Sequence, residues 1–167
     1  MRGARPWPNV EELVSLYYAA LYRYAYRLTG SSSDAEDLTQ ETFCSAQSKK
    51  GQLRDQDKVK SWLFSILRNA YLHRQRHRRR SGVISLEELD SLLPQPIEAE
   101  LPEVEPAQLQ EALNQLPEDF RTPLILYYFE ELSYRDIAEQ MQVPMGTVMS
   151  RIARAKEHLR KALTVKS

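Results

Sequence analysis

The chain has 167 residues, of which 42% are hydrophobic and 28% are charged. This length fits one compact domain or two small ones, and the hydrophobic content excludes a wholly disordered chain. The 23 basic and 23 acidic side chains give a formal net charge of zero. They are segregated, however, because every charged side chain from Lys58 to Leu86 is basic and every one from Glu87 to Asp119 is acidic. Such segregation indicates separate partners for separate segments.

Cysteine content and hydropathy narrow the class of protein further. Cys44 is the only cysteine, so no intramolecular disulfide forms, and its place in a helical stretch predicts a buried, unreactive thiol. The first nine residues, MRGARPWPN, contain no apolar core of signal-peptide length, and no apolar run approaches a transmembrane span. We therefore expect a soluble cytoplasmic protein that does not insert into a membrane.

Helical periodicity predicts three helices in a first domain, residues 9–80. The first helix ends at Gly30, and its predicted buried stripe consists of Leu13, Leu16, Tyr17, Ala20, Leu21, Tyr24 and Leu28. The second runs from about Asp34 to Lys49, after hydroxyl and acidic residues that suit a helix start. The third runs from about Lys58 toward Arg79, with a predicted core face formed by Val59, Trp62, Leu63, Ile66, Leu67 and Ala70.

The composition changes over residues 81–106, which hold four prolines and seven acidic residues but no basic residue. This predicts an extended acidic linker. A second helical domain follows over residues 107–165. Its predicted helices are a short one from Ala107, one over about Phe120–Glu131, a third that Ser133 caps, and a last one from near Pro144 to about Leu163. The predicted fold class is therefore all-α, with two small helical domains and a helix–turn–helix in the second.

The helix–turn–helix is predicted from the stretch QVPMGTVMSR, residues 142–151. Val143 precedes a proline and is disfavoured in a helix, whereas Pro144 is suited to open the next helix. Gly146 would leave room for another helix or a phosphate to approach closely. The outward face of the last helix carries Thr147, Ser150, Arg151 and Arg154. This face suits a DNA major groove, the alternative being a solvated helix of an ordinary bundle.

Two further clusters carry candidate chemistry. The third helix presents Arg68, Asn69, His73 and Arg76, which suit unpaired bases and phosphates, the alternative being a basic solvated tail. His73 and His77 have metal-ligand spacing, but no third ligand is near and the surrounding arginines would repel a cation. We therefore expect no metal and no other cofactor.

The second helix begins with an acidic cluster formed by Asp34, Glu36, Asp37 and Glu41. Carboxylates at this spacing could bind magnesium or transfer protons, but no histidine, phosphate-binding loop or nucleophile accompanies them. Complementation of the helix dipole explains part of the cluster. A docking face for a basic partner explains the rest better.

At these residues the chain resembles a sigma factor of bacterial RNA polymerase, of the extracytoplasmic-function (ECF) group, over nearly its whole length. DAEDLTQETF resembles region 2.2, which binds the largest polymerase subunit. VKSWLFSILRNAYLHRQRHRRR resembles regions 2.3 and 2.4, which melt and read the promoter minus-ten element as a single strand. The segment from Leu116 to Leu159 resembles region 4, whose helix–turn–helix reads the minus-thirty-five duplex. The implied partners are core RNA polymerase and promoter DNA, and the resemblance also allows an anti-sigma protein as a partner.

The resemblance also implies roles for individual residues, and we describe those for the polymerase and the minus-ten element first. Asp37, Gln40 and Glu41 match polymerase-facing positions, with Leu38 beside them. Asn69 matches a position associated with the flipped minus-ten base. Asp34, Arg68, His73 and Arg76 complete these two predicted sites.

Ser150, Arg151 and Arg154 match recognition-helix positions, and Thr147 is predicted to join them. Met149 stands where the family usually has lysine or arginine, and Ala153 replaces a side chain that is often larger. Both departures bear on which minus-thirty-five sequence the chain prefers.

No bond chemistry is implied, so we expect a protein that is not an enzyme. Domain two would bind duplex DNA while domain one captures unpaired bases on the polymerase. Two alternatives belong to other classes: a helix–turn–helix regulator that binds its operator without polymerase, and a metal-dependent nuclease. The regulator offers no role for the acidic cluster, and the nuclease would require a metal site.

Overall fold

The structure is a computed structural model that describes residues 6–76 and 103–165. Within these residues the chain forms seven α-helices, which confirms the all-α fold class, and no strand. They are α1 (Val10–Thr29), α2 (Ser32–Lys49), α3 (Val59–Gln75), α4 (Pro106–Gln115), α5 (Glu118–Tyr128), α6 (Tyr134–Met141) and α7 (Met145–Val165). The predicted acidic linker, residues 81–106, lies mostly outside the described residues, as does His77. None of the described helices is both long and apolar enough to cross a lipid bilayer.

The first domain consists of α1, α2 and α3. Asn9 begins α1 with a reciprocal capping box, in which its side chain accepts from the Glu12 N–H and the Glu12 carboxylate accepts from the Asn9 N–H. Gly30 ends α1 in the left-handed conformation, with φ of 68°, as its place after the apolar stripe predicts. The three helices bury a shared core that includes Tyr24 and Phe64, whose ring centroids are 5.0 Å apart.

Two predictions about burial in this domain are wrong. The Leu16 side chain is 69% exposed because it lies about 100° around the helix from the centre of the buried stripe. Cys44 is exposed, since its helical neighbours Phe43 and Ala46 are the residues that α2 turns toward the core. Trp62 is only half-buried and contacts Trp7 edge-on, with ring centroids 5.5 Å apart.

The second domain consists of α4 to α7, the four-helix unit that the sequence predicts. α4 starts at Pro106, one residue earlier than expected, with proline at the first helical position. α5 starts directly after Pro117 and ends at Tyr128, before the predicted end at Glu131. The Ser133 hydroxyl accepts from the Asp136 N–H at the start of α6, as the S-x-x-D pattern predicts. α7 packs against the other three helices of the domain.

The two domains also pack against each other, with α1 against α4 and α5 and with α3 against α6. The Arg121 side chain lies at this junction, 2% exposed. Its guanidinium donates to the Leu28 carbonyl at 2.7 Å and to the Tyr71 hydroxyl at 3.2 Å, both in the first domain, and to the Leu116 carbonyl in its own. A buried guanidinium requires such hydrogen bonds, so this residue fixes how the domains meet.

Candidate nucleic-acid interface

The turn between α6 and α7 is a Schellman motif built on Gln142 rather than on glycine. Gln142 has φ of 56° and ψ of 44°. Its N–H donates to the Glu139 carbonyl at 3.3 Å, and the Val143 N–H donates to the Ala138 carbonyl at 3.2 Å. The chain therefore reverses immediately after α6, which gives the sharp helix–turn–helix corner that the sequence predicts.

Pro144 and Gly146 have roles that differ from those predicted. Pro144 precedes α7 as its cap, because its carbonyl accepts from the N–H groups of Thr147 and Val148 at 3.0 and 3.2 Å. A Cβ on Gly146 would meet no described atom within 4 Å. The prediction that Gly146 makes room for another helix is thus wrong within the described residues, and room for a phosphate stays a prediction.

The first turns of α7 form one wall of a concavity of about 400 Å³. We call it the α7 concavity, and its lining residues are Asp119, Phe120, Gly146, Thr147, Ser150, Arg151 and Arg154. The structure therefore brings together four of the five predicted minus-thirty-five residues. Met149 is absent from the lining, and its side chain is 39% exposed. The opposite wall comes from the start of α5, whose carboxylate Asp119 sequence reasoning missed.

Further along α7 the basic residues are already engaged. Lys156 donates to the Tyr128 hydroxyl at 3.1 Å. Glu157 accepts two hydrogen bonds from Arg160, which hold the pKa of Glu157 below its usual value, and lies 3.8 Å from the Lys161 amine. These contacts reduce the free positive charge in the second half of α7, so the α7 concavity is the better candidate for nucleic-acid binding.

The α3 face differs from its prediction in one residue. Asn69, His73 and Arg76 are exposed, in agreement with a nucleic-acid face. The Arg68 side chain, in contrast, is only 12% exposed and is held by the second domain, because its Nε lies 2.8 Å and its Nη2 3.4 Å from the two carboxylate oxygens of Glu118. The sequence gives no signal for this pair, since its members are 50 residues apart.

The acidic cluster on α2 is partly exposed. Asp37 and Gln40 face solvent, whereas the exposed Glu41 carboxylate accepts from Arg74 of α3 at 2.7 Å. Asp34 is half-buried at the helix start, where its N–H donates to the Ser31 hydroxyl. Leu38 is fully buried in the core. Its prediction as a polymerase contact is therefore wrong, because a side chain that packs beneath the face supports it without touching a partner.

Comparison with known proteins connects this geometry to a family. The model of sigma-70 region 2 matches residues 13–81, and that of sigma-70 region 4 matches residues 107–159. ECF RNA polymerase sigma factor SigE of Mycolicibacterium smegmatis is 38% identical over 92% of this chain, which spans 61% of that relative's length. ECF RNA polymerase sigma factor SigM of Bacillus subtilis is 31% identical over 91% of this chain, and the match covers 93% of the length of SigM.

Solved structures agree with these relatives. The sigma factor RpoE of Bartonella quintana, in complex with the anti-sigma factor NepR, is 29% identical with a TM-score of 0.73, covering 94% of this chain and 98% of RpoE. CnrH, in complex with the cytosolic domain of CnrY, shares the fold with a TM-score of 0.70 over 95% of this chain and 89% of CnrH, at 23% identity. The relatives contain the same two domains in the same order, and the likeness extends over almost all of the described residues. The chain belongs to the ECF group of RNA polymerase sigma factors.

Proposed function

We propose that this chain binds core RNA polymerase, directs it to promoters and starts transcription there, without catalysing bond chemistry itself. One observation carries the proposal: sigma regions 2 and 4 match in order on two helical domains, the second of which is a helix–turn–helix with an arginine-lined concavity. A helix–turn–helix regulator independent of polymerase is not favoured, because the likeness to sigma factors extends over both domains.

The second domain would read duplex DNA through α7. Ser150 and Thr147 are short polar side chains that can reach base edges, and Arg151 and Arg154 can pair with guanine or phosphate oxygens. The start of a helix also offers unpaired backbone N–H groups and a positive dipole end, both of which favour phosphate. Together these features suit the minus-thirty-five duplex.

The first domain would serve the melted strand and the polymerase. Asn69 has an amide that can hydrogen-bond one unpaired base, and His73 and Arg76 can stack on bases or contact phosphates. Exposed Asp37 and Gln40 on α2 suit a basic polymerase surface. We infer that the chain works where polymerase and chromosome meet, in the cytoplasm. An anti-sigma protein is a further inferred partner, since RpoE and CnrH were solved with proteins that bind them.

Transcription with purified bacterial core polymerase tests the proposal. A template library with randomised promoter sequence avoids any assumption about the preferred site. We expect RNA with defined start sites only when the chain is present, enriched for templates that share two sequence elements. The proposal would be contradicted if the chain bound duplex DNA tightly without polymerase and gave no new RNA when polymerase was added.

Asp37→Arg provides the matched variant for the polymerase contact. Asp37 is exposed and forms no ion pair with any other described residue. Glu41, in contrast, pairs with Arg74 inside the domain, so its substitution would disturb the fold. We expect Asp37→Arg to lose both co-purification with polymerase and transcription. Glu11→Arg, an equal charge reversal at an exposed residue of α1, should retain both.

A further inference from the structure

A cavity of about 270 Å³ lies between α1 and the start of α4, and we call it the α1–α4 cavity. The four lining residues from α1 form a pair of tyrosines and a pair of arginines, each pair spaced by one helical turn. The proposed function assigns none of the lining residues to polymerase or to DNA. The full lining is Tyr22, Arg23, Tyr26, Arg27, Pro106, Ala107 and Gln110.

The charges around the α1–α4 cavity favour an anion. None of the described side chains that line it is acidic, and two carry guanidinium groups. The Arg23 guanidinium lies 3.6 Å from the Glu130 carboxylate. Lys60 and Arg27 also face that one carboxylate, so positive charge is in excess. Two neighbouring guanidinium groups suit a phosphate, which carries charge and accepts several hydrogen bonds.

Gln110 adds a hydrogen-bond acceptor to the wall of the cavity. Gln110 is 8% exposed, and its Nε2 donates to the Arg27 carbonyl at 3.1 Å and to Asn114 Oδ1 at 3.0 Å. Because a backbone carbonyl can only accept, the first contact fixes which end of the amide is the nitrogen. Gln110 Oε1 has no hydrogen-bond partner among the described residues. A buried acceptor without a donor is unfavourable, so a ligand that brings an N–H group to this wall is favoured.

The tyrosines offer a surface for a planar ring. Tyr22 and Tyr26 stack with ring centroids 6.4 Å apart and an interplanar angle of 23°. Tyr18 continues the stack beyond the cavity, 6.3 Å from Tyr22. Aromatic side chains of this kind bind nucleobases by stacking, whichever base is present. The tyrosines and the arginines occupy neighbouring positions on α1, so one small molecule can contact both.

We propose that the α1–α4 cavity is a binding site for a mononucleotide. The base stacks against Tyr26 and donates an N–H group to Gln110. The phosphate pairs with Arg23 and Arg27. The cavity is near the lower limit of ligand pockets, about 300 Å³, so it holds one nucleotide and not a longer strand. This site goes beyond the proposed function and does not depend on it, because promoter recognition uses none of these contacts.

Isothermal titration of the full chain with adenosine monophosphate (AMP) tests the site. We expect one AMP to bind per chain. Adenosine and inorganic phosphate should each bind about tenfold more weakly, because each lacks one part of the contacts. Purine riboside monophosphate has no N–H group on its base and leaves Gln110 Oε1 without a donor. It should bind about three- to tenfold more weakly than AMP.

Arg23→Gln removes one phosphate contact at an exposed residue, so it should leave the fold intact. We expect AMP to bind about five- to tenfold more weakly, since a charge-assisted hydrogen bond is lost, while adenosine binding stays unchanged. Arg54→Gln is the matched control, because Arg54 is also exposed but does not line the cavity. It should retain the wild-type affinity for AMP.

Tyr26→Leu keeps an apolar side chain and removes the ring. It should weaken binding of both AMP and adenosine about three- to tenfold. Tyr18→Leu is the matched control, because Tyr18 belongs to the same stack and is 38% exposed, against 39% for Tyr26, but does not line the cavity. It should retain the affinity for both ligands.

Three outcomes would overturn the proposal. The first is that AMP does not bind at millimolar concentration. The second is that inorganic phosphate binds as tightly as AMP, which would leave an anion site only. The third is that Tyr18→Leu weakens AMP binding as much as Tyr26→Leu, which would place the nucleotide outside the cavity. Failure of the proposed function is distinguishable from all three, because it would appear as the absence of polymerase-dependent RNA from the wild-type chain.

Discussion

Asp119 lies in the wall of the α7 concavity, opposite the residues proposed to contact duplex DNA. A carboxylate there repels phosphate, and two unit charges about 4 Å apart interact by roughly 1 kcal/mol in water. We expect Asp119→Asn to tighten binding of the chain to a promoter duplex about three- to fivefold at low salt. The gain should shrink as salt rises, since screening weakens interactions between exposed charges.

Fluorescence anisotropy at two salt concentrations measures this effect, and Asp119→Glu is the matched control because it keeps the charge. An equal affinity for Asp119→Asn and the wild type at low salt would show that bound DNA does not approach this wall. Met149→Arg would add a cation outside the lining of the concavity, so its effect reports on a different part of α7.

At the residue scale, the sequence predicted most outward-facing side chains of α7 but not what surrounds them. Thr147, Ser150 and Arg151 lie on one face because residues three or four positions apart in a helix share a face. This spacing can be counted directly in the sequence. Asp119 is 28 or more residues away from them, and only the packing of α5 on α7 places it there. Leu38 and Cys44 were misplaced for a related reason, since one position of error on a helix turns a side chain by about 100°.

At the scale of elements, capping explains why the helix boundaries could largely be predicted. Asn9, Ser31 and Ser133 each accept a backbone N–H at a helix start, and side chains of these types are common caps. The α6–α7 turn was less predictable, because Gln142 adopts a left-handed conformation that glycine or asparagine usually takes. Pro144 indicated where the turn lies but not which residue reverses the chain.

Gln142→Gly is the corresponding prediction. Removing the Cβ relieves a left-handed conformation that costs a non-glycine residue about 1–2 kcal/mol, while glycine loses more entropy on folding. We expect a net gain of about 0.5–1 kcal/mol in the free energy of unfolding, measured by urea denaturation.

Gly30→Ala is the opposite control, because Gly30 has φ of 68° and a new Cβ would lie 3.1 Å from the Asn114 side chain. It should destabilise the chain. If Gln142→Gly is also destabilising, the Gln142 side chain must make stabilising contacts that outweigh its backbone strain.

At the scale of the whole molecule, the sequence predicted two helical domains but not their contact. Arg121 lies in the largely apolar segment FRTPLIL. A basic residue in such a segment predicts that its side chain pairs with a buried hydrogen-bond acceptor. The acceptors, the Leu28 carbonyl and the Tyr71 hydroxyl, come from elements 93 and 50 residues away. Every residue carries a backbone carbonyl, so residue types do not show which carbonyl accepts from Arg121. The contact between the domains could therefore not be predicted from the sequence.

Glu130 makes the junction sensitive to pH. Its side chain is 1% exposed, and burial raises its pKa above the usual 4.5, although Arg23, Lys60 and Arg27 nearby oppose that shift. Arg23 approaches one carboxylate oxygen at 3.6 Å, while the other has no hydrogen-bond partner among the described residues. Between the usual and the raised pKa, the folded chain binds more protons at Glu130 than the unfolded chain does. The contribution of Glu130 to stability therefore falls as pH rises through this interval.

Glu130→Gln should remove this contribution, because glutamine resembles the protonated acid in shape and carries no charge to desolvate. We expect the variant to be more stable than the wild type at neutral pH, with a difference that shrinks as pH falls toward 4.5. Urea denaturation of both chains across this range measures it. Taking the difference in stability between the two chains cancels the contributions of other carboxylates to the pH dependence. One of these is Glu157, whose lowered pKa acts in the opposite direction. A difference between Glu130→Gln and the wild type that does not change with pH would mean that Glu130 ionises in the folded chain as easily as in the unfolded one.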